Sequence, residues 1–278
     1  MKDIEIPLAN ITLRGLEFGD SSQPTILALH GWLDNAASFI PLAACLSGYH
    51  ILAVDFAGHG KSDHRVPGAH YHLMDNVQDL HELVTYLKLN KVLLLGHSMG
   101  GIVASVYASC FPENVERLAV IESFGPLTMA ADTSPEQLKK SIESRLAMQQ
   151  KAPRHPDSLE TAVKARLMAG DMNKASAQLL MERNLMQTPD GLRWRTDPRL
   201  RTISSLRLTE AQANAFIVNV SCPWLTLLGS EGFEKLKVNV DKRKAQVAQL
   251  ELETCPGGHH LHMDNPRPVA EKISTFFS

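Results

Sequence analysis

The sequence has few cysteines and aromatic residues, almost no net charge, and no long apolar run. Its 278 residues include 4 cysteines, 6% aromatic residues, and 28 basic against 30 acidic side chains, for a net charge of −2. This balance excludes the broad basic field that nucleic acid or an anionic membrane would select. No apolar run approaches the roughly 18 residues that span a bilayer. Residues 1–5 carry two acids where a signal peptide would be basic and then apolar, so we expect a cytoplasmic protein without membrane or nucleic-acid partners.

Cysteine is too sparse and too widely spaced to suggest a disulfide framework. The four residues are Cys45, Cys110, Cys222 and Cys255, with no C-x-x-C pair among them. In a chain of this length we expect buried free thiols. Length and composition fit one α/β domain with an insertion. We expect a monomer or a homodimer.

What the sequence does contain is an alternation of short apolar runs with helical patterns. This order predicts an α/β fold whose mostly parallel eight-stranded sheet has helices on both faces. The predicted strands are Ile4–Leu8, Ile11–Phe18, Thr25–Leu29, His50–Asp55, Lys91–Leu95, Arg117–Glu122, Trp224–Gly229 and Leu250–Thr254. The predicted helices of this part are Ala37–Leu46, Asp75–Lys88, Met99–Cys110, Val240–Gln249 and Pro266–Phe277.

The pattern changes between the sixth and seventh predicted strands. Strand-like runs disappear over residues 125–216, and helix start signals appear at Ser134-Pro135-Glu136-Gln137 and at Asp157–Glu160. We therefore expect residues 1–124 and 217–278 to form the core and residues 125–216 to form a helical cap, or lid. A cap over the site implies a small or medium substrate.

Two groups of residues in the predicted cap have more than one interpretation. Five arginines, with Asp197 among them, fit either a solvated face with a local ion pair, which we favour, or recognition of a substrate anion. They are Arg193, Arg195, Arg199, Arg201 and Arg207. Apolar residues at helical spacing predict packing within the cap, with some lining an acyl pocket. These are Met129, Leu138, Ile142, Leu146, Met168, Leu179, Met181 and Met186.

A G-x-S-x-G motif occupies Gly96-His97-Ser98-Met99-Gly100, between a predicted apolar strand and a predicted helix. The glycines at both ends allow a sharp turn that no side chain would pass. Such a turn lifts the serine hydroxyl above the sheet edge at a helix N-terminus, where negative charge is favoured. The motif predicts Ser98 as a nucleophile.

A serine nucleophile needs an imidazole to accept its proton. Three histidines lie between the last strand and the last helix: His259, His260 and His262. His259 follows a double glycine, so we assign the base to it and structural or surface roles to the other two. As metal ligands the three would need further partners that the pattern does not supply, so we expect neither metal nor cofactor.

Acyl transfer also needs donors that face the developing oxyanion. We expect them to be the backbone N–H groups of Met99, which follows the nucleophile, and of Trp32, which lies in the loop after the third strand. His30, in the same loop, is interpreted as a structural residue that stiffens it.

Two glutamates are candidates for the acid that orients the histidine. Glu231 follows the seventh strand, but Gly232 occupies the position where an aspartate is common. Glu122 ends the sixth strand, one strand closer to Ser98, and a carboxylate there would be costly to bury without a partner. The residues favour Glu122 and leave Glu231 as the alternative.

Taken together, the chain resembles the α/β-hydrolase superfamily over nearly its whole length. The motifs that carry the resemblance are His30-Gly31-Trp32, the run Asp55–Ser62, Gly96–Gly100, and Gly258-His259 with Asn265-Pro266. The runs His30–Phe39 and Pro256–Pro266 resemble the serine-hydrolase-like (kraken-type) branch, which tends to carry an acid at the position of Glu122. Haloalkane dehalogenases also place an acid there, but they and epoxide hydrolases use an aspartate nucleophile where this chain has Ser98.

The leading hypothesis is a serine hydrolase that cleaves a carboxylic ester through an acyl-enzyme on Ser98. A second hypothesis is carbon–carbon bond hydrolysis of a dienoate-type ketone, in which the cap arginines would take part. A third is a binding protein that keeps the scaffold without catalysis.

Overall fold

The computed structural model describes residues 1–152 and 154–278, and it is built on one eight-stranded sheet. In this part of the chain the strands are β1 (Lys2–Pro7), β2 (Thr12–Phe18), β3 (Thr25–Leu29), β4 (His50–Asp55), β5 (Val92–His97), β6 (Val115–Ile121), β7 (Leu185–Thr188), β8 (Gly191–Trp194), β9 (Trp224–Gly229) and β10 (Leu250–Cys255). The helices are α1 (Ile40–Ala43), α2 (Leu73–Tyr86), α3 (Met99–Cys110), α4 (Ser134–Gln149), α5 (Leu159–Met168), α6 (Lys174–Asn184), α7 (Glu210–Val218), α8 (Glu234–Arg243), α9 (Leu261–Asp264) and α10 (Pro266–Phe277).

The strand order in the large sheet is β1-β2-β4-β3-β5-β6-β9-β10. β2 pairs antiparallel with β1 and with β4, whereas every pairing from β4 to β10 is parallel. The predicted mostly parallel eight-stranded sheet is therefore confirmed. Because the strands from β4 to β10 are parallel, their carboxyl ends meet at one edge, where ligands bind in open α/β sheets.

Each central strand contributes to two apolar cores, one on each face of the sheet. In β5, Leu94 belongs to the core that also contains residues of α2 and α3, while Leu93 and Leu95 belong to the core that contains residues of α10. Successive side chains of a strand point to opposite faces, so a strand buried on both sides must be apolar at every position. This is the reason the central strands have no polar alternation.

Two predicted helices differ from the observed ones. The segment Ala37–Leu46 forms a 3-10 turn over Ala36–Phe39 followed by the short α1. The helix predicted at Val240–Gln249 is α8, which begins at Glu234 and continues as a 3-10 turn through Gln246. Its first turns alternate lysine and apolar residues, so they lack the apolar stripe that marks a helix in the sequence.

Residues 125–216, which we call the inserted segment, lie between β6 and β9 and contain α4 to α6 and most of α7, which continues to Val218. Pro153, within the predicted cap, lies outside the described residues. The segment also contains an antiparallel hairpin of β7 and β8, which the sequence analysis missed. Its apolar cluster is formed mainly by α5, α6 and Leu185, with Met263 added from the core.

The apolar residues predicted to pack within the inserted segment are less buried than expected. Met181 is buried and Leu179 packs beside it, but the other six side chains are exposed, Met168 by 90%. Helical spacing shows which residues share a face of a helix but not whether another element covers that face.

All four cysteines are free thiols as expected, but Cys110 is exposed rather than buried. Among the described residues, no helix combines the length and the apolar character required to span a membrane.

Candidate active site

Ser98 lies on the turn between β5 and α3, in a conformation that few residues other than glycine adopt. Its φ is 51° and its ψ is −117°. A Cβ at Gly96 would lie 2.5 Å from backbone atoms of Gly101, and one at Gly100 would overlap the carbonyl of Leu29. The turn therefore requires glycine at both positions, and the strain is located at the serine itself.

His259 and Glu122 are in direct contact beside this turn. His259 Nδ1 lies 3.2 Å from Glu122 Oε2, and the Glu122 side chain is 1% exposed. The backbone N–H of Gly229 donates to Glu122 Oε1 at 2.8 Å, and that of Phe233 donates to Oε2 at 3.3 Å. A carboxylate that accepts three hydrogen bonds is held in position and its buried charge is compensated.

Glu231, the alternative acid, is exposed, and its backbone N–H donates to the carbonyl of Gly257. The structure brings Glu122 to His259 and places Glu231 on the surface. Gly232 makes room for this arrangement, because a Cβ there would lie 2.6 Å from Cδ of Glu122 and 2.7 Å from its Oε2. The position of the Glu122 carboxylate therefore depends on the absence of a side chain at Gly232.

Positive φ angles concentrate at the same edge of the sheet. Within residues 1–152 and 154–278, the residues other than glycine with positive φ are Leu33, Lys88, Ser98 and Glu122, and only Lys88 lies elsewhere. Leu33 belongs to the loop of Trp32. Strained backbone in folded proteins clusters at active sites and ligand-binding loops, where the surrounding structure holds it.

Of the two predicted oxyanion donors, Met99 directly follows Ser98, and Trp32 lies in the loop after β3, the strand that pairs with β5. Met99 is the first residue of α3, where backbone N–H groups have no partner within the helix. No acceptor within the described parts of the chain takes the N–H of Trp32 or of Met99. The Trp32 ring is half exposed, and its Nε1 donates to the carbonyl of Leu200 in the inserted segment.

His30 donates from Nδ1 to the carbonyl of Gly31 and accepts from the N–H of Phe56, so it connects the loop after β3 to the end of β4.

A cavity of about 640 Å3 contains Ser98, Glu122 and His259 in its wall. This volume is in the range of sites for small molecules. The remaining wall comes from the loop after β6, from α8, and from the inserted segment, which contributes Leu127, Thr128 and Arg207.

The loop of His259 is fixed by a polar cluster that joins it to the inserted segment. Asp171, between α5 and α6, accepts the backbone N–H of His259 at 2.7 Å and lies 3.2 Å from His260 Nδ1. The other ring nitrogen of His260 lies 3.2 Å from Asp34 in the loop of Trp32. Burial lowers the pKa of His260, but the two carboxylates outweigh it and the pKa lies above its ordinary value. The two carboxylates, Asp34 and Asp171, thus favour the protonated form of His260.

Of the described residues, Asp34, His97 and His260 form the group that most resembles a metal site, with ligand atoms within 4.8 Å of one another. However, the Arg166 guanidinium lies 2.9 Å from Asp34 and 3.3 Å from His260 Nε2. The positively charged guanidinium of Arg166 therefore already lies where a metal ion would have to bind. His97 is neutral, because burial holds its pKa well below the ordinary value, and it bonds to the carbonyl of His259.

Comparison with known proteins agrees with this fold. The family model described as alpha/beta hydrolase fold matches residues 24–266. The chain belongs to the α/β-hydrolase family. It is 29% identical to the human serine hydrolase-like protein 2, over 98% of this chain and 92% of that protein. It is 32% identical to a probable serine hydrolase of Drosophila melanogaster, over 95% of this chain and 84% of that protein. A crystal structure of a hypothetical protein from Pseudomonas aeruginosa PAO1 superposes with a TM-score of 0.92 at 39% identity, covering 100% of this chain and 98% of that one. The predicted resemblance to the serine-hydrolase-like branch is confirmed.

Most arginines of the inserted segment of this α/β hydrolase are engaged by the protein itself. Arg199 pairs with Asp197 at 2.6 Å, Arg193 lies 3.1 Å from Asp190, and Arg195 donates to a carbonyl. Arg201 is exposed. Among the five, Arg207 is the one in the wall of the cavity.

Sequence reasoning missed the charged residues that attach the inserted segment to the hydrolase core. Arg183 of α6 binds Asp55 at the end of β4 through two nitrogens, at 2.9 and 2.7 Å, and reaches Asp3 at 2.8 Å. Asp171 and Arg166 likewise have no motif around them. Such residues are recognisable only by their partners, which lie 88 to 180 positions away in the sequence.

Proposed function

We propose that this α/β hydrolase cleaves carboxylic esters through an acyl-enzyme on Ser98. The observation that carries the proposal is the buried Glu122–His259 contact in the wall of the cavity that contains Ser98. Nucleophile, base and orienting acid are the parts that acyl transfer requires.

In the proposed mechanism, His259 accepts the proton of Ser98 as the hydroxyl attacks the ester carbonyl. Glu122 holds the imidazole by Nδ1 and stabilises the imidazolium that forms. The N–H groups of Trp32 and Met99 donate to the oxyanion, which is favoured because neither is committed to another acceptor among the described residues. His259 then protonates the leaving alcohol. Water next attacks the acyl-enzyme with His259 again as base, the bond between the acyl group and Ser98 Oγ breaks, and His259 returns the proton to Ser98 as the carboxylic acid leaves.

We further propose that residues 125–216 act as a cap over this site. Leu127, Thr128 and Arg207 support this, since they line the same cavity as Ser98. The cavity volume of about 640 Å3 favours a small or medium substrate over a polymer.

A fluorophosphonate probe tests the proposal, with Ser98→Ala as the matched control. We expect the wild-type protein to be labelled and Ser98→Ala to remain unlabelled while folding normally. A panel of p-nitrophenyl esters then tests ester cleavage, with turnover that depends on acyl length. A folded wild-type protein that resists the probe and cleaves no ester would instead favour a binding protein. Labelling without ester turnover would favour another reaction on the same nucleophile, such as carbon–carbon cleavage.

A further inference from the structure

One face of α8 forms a wall of the cavity beside Ser98. Lys235, Val238, Asn239 and Lys242 all line it. Their spacing of i, i+3, i+4 and i+7 places them on one side of a helix, with the two lysines about two turns apart. Arg207 faces the same cavity from the inserted segment. Three cations from two separate elements thus surround one space.

Among the described residues, these three cations differ from their neighbours in having no carboxylate within 4.0 Å. Lys242 acts on Glu210 only at longer range, since that carboxylate is bonded to Arg243. Nearby cations are paired: Arg243 with Glu210 at 2.7 Å, Lys244 with Asp241 at 2.7 Å, and Lys237 with Glu234 at 3.7 Å. Within residues 1–152 and 154–278, no carboxylate forms an ion pair or hydrogen bond with Lys235, Lys242 or Arg207. Like charges around one cavity repel each other, and an anion placed among them removes that repulsion.

The acids of the same wall do not neutralise this charge. Glu122 is buried and satisfied by His259 and two backbone N–H groups. Glu234 lies beside Lys237. The same wall also has apolar residues, among them Phe124, Leu236 and Val238. The cavity therefore combines an apolar surface with unpaired positive charge.

We propose that the substrate is an anionic amphiphile, an ester with an apolar chain and a carboxylate or phosphate group away from the scissile bond. The apolar wall takes the chain, and Lys235, Lys242 and Arg207 bind the anion. The proposal deepens the proposed ester hydrolysis and depends on it for the reaction, but the binding of such a molecule can be measured without turnover.

The binding test uses the Ser98→Ala protein and isothermal titration with octyl phosphate and with 1-octanol. Lys235, Lys242 and Arg207 are exposed. We expect octyl phosphate to bind about tenfold more tightly, because each exposed ion pair contributes about two- to fivefold. The variant Lys235→Gln/Lys242→Gln/Arg207→Gln should lose most of that preference. Lys237→Gln removes a lysine from the same helix that does not line the cavity, and it should keep the preference.

A kinetic test with the wild-type protein shows on which side of the ester the anion lies. The mono-p-nitrophenyl ester of suberic acid and p-nitrophenyl octanoate differ only by a terminal carboxylate on the acyl chain. Octanoyl glycerol 3-phosphate and monooctanoylglycerol differ by a phosphate on the alcohol. We expect one anionic member to have the higher kcat/KM, mainly through a lower KM, and the triple variant to remove the difference.

Equal binding of octyl phosphate and 1-octanol, or a preference that survives in the triple variant, would overturn the proposal. Neutral esters cleaved with no gain from either anion would also overturn it while leaving ester hydrolysis intact. Conversely, a phosphate preference in binding without any ester cleavage would support the ligand class and refute the reaction.

Discussion

Gly232 provides a test of the candidate site that changes none of its reacting groups. A methyl group at this position would lie 2.6 Å from Cδ of Glu122, whereas ordinary contacts are 3.4–4 Å. The Gly232→Ala protein can fold only if the carboxylate or the loop after β9 moves by roughly 1 Å. Because Glu122 is 1% exposed and bonded by three donors, its carboxylate cannot move by this distance without weakening the hydrogen bonds that hold it.

The size of this displacement determines how much activity we expect Gly232→Ala to lose. A shift of about 1 Å in a positioned catalytic group lowers the rate by about a hundredfold, which corresponds to about 2.7 kcal/mol in the activation free energy. We therefore expect Gly232→Ala to lower kcat/KM for a p-nitrophenyl ester by about that factor. The reduction should appear in kcat, since the substrate wall is unchanged.

The control is the double variant Gly232→Ala/Glu122→Asp, in which the acid is shorter by one methylene group. If the clash is the cause, the double variant should be more active than the product of the two single effects predicts. Urea unfolding of each variant separates a loss of activity from a loss of folded protein. A folded Gly232→Ala enzyme with wild-type kcat/KM would refute the reasoning.

Three further predictions follow from buried charges. Glu122→Gln should lower kcat by about 10⁴-fold, because an amide cannot hold the required tautomer of the imidazole, while Glu231→Gln should stay near wild type; the reverse result in steady-state kinetics would move the acid. Arg183→Met should lower the free energy of unfolding by about 3–5 kcal/mol because it leaves a buried carboxylate unpaired. The control Arg193→Met, at an exposed position, should lower it by only about 0–1 kcal/mol. Equal denaturant midpoints for the two variants would contradict this prediction. The pKa of His260 is raised above its ordinary value of 6.5, so its stabilisation is full below that pH and is lost as pH rises through the folded-state pKa; the stability difference between wild type and His260→Asn, measured by urea unfolding, should shrink as pH rises, and a constant difference would show that no proton is involved.

Much of the fold was predictable because its signals are local. The eight strands of the sheet were all predicted, and the signal is strongest for the central ones, since a strand buried on both faces must be a short apolar run. The helices α3 and α10 were predicted with their observed bounds. The hairpin of β7 and β8 and the start of α8 were not, because short exposed elements carry no apolar periodicity.

The acid that contacts His259 could not be chosen from local sequence patterns. The sequence offered Glu122 and Glu231, each directly after or near the end of a strand. Which one meets His259 depends on how three loops converge, and the structure brings Glu122 there through the room that Gly232 leaves. The glycine was visible in the sequence, but its relation to a side chain 110 positions earlier was not.

By itself, the sequence determined the sheet, the serine turn and the family, because strand periodicity and the Gly96–Gly100 turn depend on residues close to one another in the chain. Only the tertiary structure decided what surrounds Ser98: the contact of Glu122 with His259, the attachment of the inserted segment through Arg183 and Asp171, and the unpaired cations in the cavity. These features are pairings between charges far apart in sequence. Whether a charge is paired, buried or free is a property of the folded arrangement, and no local pattern records it.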